Sequence, residues 1–120
     1  MGNPFRWVEL TTDDLEQAKE FYGEIFNWKM EVFEDSSIPY YFVKTGGDAQ
    51  GGMMGKPSTR TPTAWTPYVE VKDLSSVCDK VERLGGRILK HKTSIPGMGW
   101  FAVIHDPQGA VIGLWQPRRD

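Results

Sequence analysis

The chain has 120 residues, a formal net charge of −2, 39% hydrophobic residues and 25% charged residues. That length suits one compact unit with a sizeable core, and that composition excludes a disordered chain. A mildly acidic total without any long Lys or Arg run argues against nucleic acid and anionic membranes as partners. One cysteine forbids an internal disulfide, and no stretch approaches the ~20 apolar residues of a membrane span. The start, Met1 to Arg6, lacks a basic region followed by an apolar core, so no secretory leader is predicted and a reducing cytoplasm is the expected setting.

Phe5 to Leu10 alternates, Val8 and Leu10 pointing one way and Trp7 and Glu9 the other, which predicts a strand. Leu15, Ala18, Phe21 or Tyr22, Ile25 and Phe26 then recur at helical spacing and predict a helix from about 13 to 26, with Asp13 as N-cap and Glu16 completing a capping box. Strands are predicted over 29–33 and 39–45, separated by the Glu34 to Ser37 turn. A further turn at Gly46-Gly47-Asp48 leads into a short strand from Ala49 to Met54. Gly55 to Pro67, with three prolines, reads as a linker. Tyr68 to Val71 is strand-like, and Leu74, Val77, Cys78, Val81 and Leu84 predict a second helix stopped by Gly85-Gly86. Strands over 87–92, 100–104 and 110–116 complete the chain, the last two joined by the Asp106-Pro107-Gln108-Gly109 turn.

The second half repeats the order of the first. Val8-Glu9 and Val69-Glu70 lie 61 positions apart, while Leu15 and Leu74 lie 59 apart, so the strand-to-helix connections differ by two residues. Similarity at half the chain length points to two copies of one βαβββ unit, with chance likeness of two αβ segments as the alternative.

The residues that carry a wider resemblance are Trp7 to Leu10, Asp14-Leu15 and Phe21 to Trp28 in the first half. In the second they are Trp65 to Tyr68, Asp73-Leu74, Gly85-Gly86, Pro96 to Gly99, Asp106 to Ala110 and Gly113 to Gln116. In order and spacing they resemble the vicinal oxygen chelate superfamily of glyoxalases, bleomycin resistance proteins and extradiol dioxygenases, and in particular a hydroxylase-like or glyoxalase-like bacterial branch. The resemblance implies an α+β fold in which two βαβββ modules form a curled, cup-shaped mixed sheet with the helices outside. It implies a single glyoxalase-like domain over 1–120, with module one at about 4–55, a linker at about 56–65 and module two at about 66–117. It also implies pairing of two chains as a homodimer. Metal-dependent relatives hold one divalent ion through His, Glu or Gln. Anchored on the Asp-Leu pairs, the first-strand ligand positions fall on Trp7 and Thr66; the last-strand position, four residues after the turn glycine, falls on Gly113, with Gln50 at best as the fourth. Indole has no lone pair to offer and glycine no side chain, so neither a metal site nor a cofactor is expected.

Other residues offer little to rebuild such a site, since His91 lies between two lysines and His105 precedes a turn, both expected in solvent. Alternation puts Trp7, Glu9, Thr66, Tyr68, Glu70, Trp100 and Trp115 on the concave face, with Val8, Leu10, Val69, Val71, Ile112 and Leu114 beneath the helices. Such a face suits a small aromatic or cationic molecule, unless the rings fill the hollow themselves or line a dimer interface. Glu9 and Glu70 are the candidates for acid/base catalysis or unconventional metal ligation, against hydration or pairing with Arg or Lys. Met53 and Met54 read as filler, and Cys78 as a buried apolar group. No nucleophile elbow or phosphate loop is present. The sequence therefore predicts a small-molecule-binding protein. The alternative is an enzyme, lyase, isomerase or dioxygenase-like, that works through Glu9 and Glu70.

Overall fold

A computed structural model describes residues 2–47 and 50–119. Its architecture is α+β, two βαβββ repeats, as the sequence predicts. The first repeat comprises β1 (Phe5–Thr12), α1 (Leu15–Ile25), β2 (Lys29–Val32), β3 (Tyr40–Lys44) and β4 (Gln50–Gly55). The second comprises β5 (Ala64–Glu70), α2 (Leu74–Arg83), β6 (Arg87–Ile95), β7 (Gly99–His105) and β8 (Val111–Pro117). Asp48 and Ala49, placed in a turn and a strand start by the sequence, lie outside the described residues.

One compact unit is Trp7–Trp65, with strand order β2-β3-β4-β1. β1 and β4 run parallel, pairing Trp7 with Gln50 and Glu9 with Gly52, while β2-β3 and β3-β4 are antiparallel. Leu10, Val43 and Met53 form its core, and Leu15, Ala18 and Tyr22 of α1 pack on them. The open choice between Phe21 and Tyr22 falls to Tyr22, since Phe21 is 56% exposed. The N-cap of α1 is one residue later than predicted, Asp14, whose Oδ1 accepts the Gln17 backbone N–H at 3.0 Å. Asp13 instead meets Lys56 Nζ at 3.1 Å, and Glu16 accepts the Tyr41 hydroxyl at 2.6 Å. Val8, expected beneath the helix, is 37% exposed, because it lies opposite Gly51 and past the edge of the cluster that α1 covers.

The other unit joins the chain up to Arg6 with the chain from Thr66 onward, in strand order β5-β8-β7-β6. β5 and β8 are parallel, pairing Tyr68 with Gly113 and Glu70 with Trp115, and β7 is antiparallel to β8 and β6. Val71, Leu74, Ala102, Ile104 and Leu114 make its core, with Val77, Cys78 and Val81 of α2 packed against them. Asp73 caps α2 by accepting the Ser76 N–H at 3.1 Å. At the other end Gly85, at φ +93°, lets the Gly86 N–H reach the Val81 carbonyl at 2.9 Å, the Schellman closure that the Gly-Gly pair forecast. β5 starts four residues before the predicted Tyr68, so the expected linker ends earlier than its prolines suggested.

Candidate functional site

In the first unit the face turned away from α1 is built on Glu9. β1 alternation puts Trp7 and Glu9 on this face, and β3 brings Tyr40 and Phe42 to it, opposite Met54 and Gly52. The Tyr40 ring lies across Gly52 so closely that a Cβ there would overlap its hydroxyl and ring carbons. Only glycine permits that approach. In this position the Tyr40 hydroxyl accepts the Trp7 Nε1–H at 3.1 Å and donates to Glu9 Oε2 at 2.7 Å. Phe42 meets the Trp7 ring edge-on at 5.9 Å, and Phe33 stacks on Phe42 at 4.8 Å. The result is a half-buried carboxylate held by a phenol within an aromatic surround. Sequence reasoning found Trp7 and Glu9 but missed Tyr40, Phe42 and Phe33. The signal was available in the alternation of β3, where Tyr41 and Val43 fall on the helix side and Tyr40 and Phe42 on the other.

In the second unit the corresponding face carries Tyr68, Glu70 and Trp115, with Thr66 half-buried earlier on β5. Tyr68, 7% exposed, lies flat over Gly113, where a Cβ would overlap its ring, and meets Phe101 edge-on at 6.4 Å. Glu70 Oε1 is paired with Arg6 Nε at 2.9 Å. Trp100 corrects the predicted face. It packs with Ala102 and Ile104 on the α2 side, with Lys92 Nζ 5.4 Å from its ring centroid, and Phe101 takes the place expected of it. The stretch Trp100 to Ile104 is apolar at every position, so its alternation gave no sign of which side faced the helix.

The two units also settle which strand positions correspond. Leu10 in β1 and Val71, directly after β5, each enter the core of their own unit, so Trp7 corresponds to Tyr68 and Glu9 to Glu70. The helix anchor that paired Trp7 with Thr66 is displaced by the two-residue difference in the connection. At the positions where metal-dependent relatives carry ligands, the donor set does not fit a divalent ion. Trp7 Nε1–H is spent on Tyr40, and the space beside Gly113 is filled by the Tyr68 ring. Among the described residues no three His, Cys, Asp or Glu side chains converge. His105 ends β7 half-buried with Nδ1 2.9 Å from the Asp106 carbonyl, and His91 is exposed in an irregular stretch of β6. Partial burial, with help from Asp79 and Glu82, pushes the thiol of half-buried Cys78 up.

A family model described as Glyoxalase/Bleomycin resistance protein/Dioxygenase superfamily matches residues 5–114. A Mycobacterium tuberculosis protein named "Putative glyoxylase CFP32" is 33% identical over 126 residues, covering 98% of this chain and 47% of its own length. "Anthracycline biosynthesis protein DnrV" of Streptomyces peucetius is 25% identical over 133 residues, covering 92% of this chain and 46% of its own. The chain thus spans about half the length of these curated relatives. Among solved structures, hypothetical protein BH1468 from Bacillus halodurans C-125 superposes with a TM-score of 0.73 at 12% identity, over 100% of this chain and 98% of that one. Methylmalonyl-CoA epimerase from Mycobacterium tuberculosis gives 0.67 at 21% identity, over 96% and 88%. Identities this low speak for the fold alone.

Proposed function

We propose, from the premise that this chain belongs to the glyoxalase/bleomycin resistance protein/dioxygenase superfamily, that it is a small-molecule-binding member of that group. In this reading it lacks the usual divalent site and holds an aromatic, preferably cationic, compound. The observation that carries the proposal is the Trp7–Tyr40–Glu9 chain of hydrogen bonds on an aromatic face. A phenol orients the Glu9 carboxylate and the neighbouring indole offers a π surface, a combination suited to organic cations. In the second unit Tyr68, Trp115 and Phe101 supply further aromatic surface. The anthracycline-biosynthesis name of the Streptomyces relative is in keeping with a planar aromatic ligand.

The test is a thermal-shift screen of planar aromatics with and without amine substituents, followed by titration of the intrinsic tryptophan fluorescence. A ligand at a hundred times its Kd adds about 2.7 kcal/mol to stability, a rise on the order of 10 °C for a chain this size. Trp7→Ala should abolish binding, and Glu9→Gln should weaken amine-bearing compounds selectively. Stoichiometric Ni, Zn, Fe or Mn in protein purified without a His tag would overturn the metal-free part of the reading.

The same geometry supports a second reading, a metal-free acid/base enzyme in which Glu9 and Tyr40 exchange a proton with substrate. Turnover of any screened compound that is lost in Glu9→Gln while binding persists would favour it. The exposed Phe21 and Ile25 on α1 support association of two chains as a homodimer, which light scattering would measure.

A further inference from the structure

We infer that a cleft beside Glu70, with no aromatic residue in its lining, binds a small molecule bearing two or more negative charges, a phosphate or a polycarboxylate. The cleft measures about 530 Å³ and is lined by Asn3, Pro4, Arg6, Glu70, Lys72 and Arg119 among others. That volume is ample for a metabolite-sized ligand. Its floor is fixed by backbone pairing. The Glu70 N–H donates to the Pro4 carbonyl at 2.9 Å, and Asn3 Nδ2 donates to the Glu70 carbonyl at 2.9 Å.

The charges around it decide the sign of the ligand. Arg6 Nε and Glu70 Oε1, 2.9 Å apart, offset one another. Lys72 and Arg119 have no acidic partner among the described residues. Asp73, next to Lys72, turns one carboxylate oxygen to the Ser76 N–H at the start of α2. Among the described residues, two positive charges without an acidic partner therefore share one concavity of a chain whose net charge is −2. Arg6 commits Nε to Glu70, and its terminal nitrogens make no hydrogen bond among the described residues, so a fork remains for a phosphate or carboxylate. A singly charged anion would neutralise only part of this set, which is why the site selects multivalent ones.

Isothermal titration of the full chain with pyrophosphate, citrate and acetate tests the inference, the first two arms separating phosphate from carboxylate. Pyrophosphate, citrate or both should bind in low salt, acetate should not, and raising the salt should weaken binding. Lys72→Gln and Arg119→Gln should each weaken it about tenfold, with an unchanged melting temperature because both side chains are exposed. Lys90→Gln, a cation outside the cleft, should leave binding as it was. Absence of binding by both multivalent anions would overturn the proposal, as would equal losses in Lys90→Gln and the two cleft variants. Neither result bears on the aromatic face, whose ligands are read through Trp7 and Glu9.

Discussion

Tyr40→Phe removes a single oxygen from the candidate site and leaves its ring packing in place, so it isolates what the hydroxyl does. The ring should stay across Gly52 and keep its edge-on contacts with Phe33 and Phe42. The hydrogen bond donated to Glu9 at 2.7 Å and the one accepted from Trp7 at 3.1 Å are lost together. A hydrogen bond to a charged group is worth about 1.5–3 kcal/mol and a neutral one about 0.5–1.5. Trp7 and Glu9 are half-buried, so water can rehydrate them in part, and the expected net loss is about 1–3 kcal/mol. In urea that shifts the unfolding midpoint on the order of 1 M, with the slope unchanged. A double-mutant cycle with Glu9→Ala should give a coupling of about 0.5–3 kcal/mol, the signature of a direct interaction. If Tyr40→Phe lies within about 0.5 kcal/mol of the parent, or adds to Glu9→Ala without coupling, Tyr40 does not hold Glu9 and the proposed recognition point dissolves.

Gly113→Ala forces the Tyr68 ring off its strand and should destabilise by about 1–3 kcal/mol, whereas Gly55→Ala, with open space at its Cβ, should stay within about 0.5. Equal urea midpoints for the two variants would contradict the close approach at Gly113. Asp106 accepts the Gln108 and Ala110 N–H groups at 2.9 and 3.0 Å, and these bonds, the Ala110 one foremost, hold its carboxyl below the ordinary 3.8. A depressed folded pKa gives stability that is complete above the unfolded value and lost as the pH falls through the folded one. The advantage of the parent over Asp106→Asn in urea midpoint should therefore hold above 3.8 and shrink at lower pH, and a gap constant through the acid range would refute the assignment.

The fold was legible where one physical signal acts alone. Leu74 to Leu84 had a single apolar stripe and a Gly-Gly stop, and the structure ends α2 there, with Gly85 in the left-handed conformation at φ +93°. Errors arose where two residues offered the same chemistry. Asp13 and Asp14 are both competent N-caps; Asp14 caps α1, and Asp13 pairs instead with Lys56, some forty residues away. Trp100 to Ile104 could turn either face inward, and only the register of β7 against β8 and β6 puts Trp100 under the α2 side. The site was half legible for a related reason. Trp7 and Glu9 stand out in a strand of mixed polarity, whereas Tyr40 sits in the run Tyr40-Tyr41-Phe42-Val43, where its role depends on a glycine in the neighbouring strand.

That dependence explains how two repeats of one scaffold diverge. Glu9 and Glu70 occupy corresponding strand positions, each turned away from its own helix, yet their partners differ in kind. Tyr40 is neutral and donates its hydroxyl hydrogen to Glu9 Oε2 at 2.7 Å. Arg6 is a cation, so it offsets Glu70 and leaves Lys72 and Arg119 to set the sign of the surface beside it. Under the proposed readings the two halves would take ligands of opposite sign, a cation on the Glu9 face and an anion near Glu70. The difference rests in the second repeat on Arg6, whose Nε lies 2.9 Å from Glu70 Oε1, and in the first on Gly52, across which Tyr40 lies.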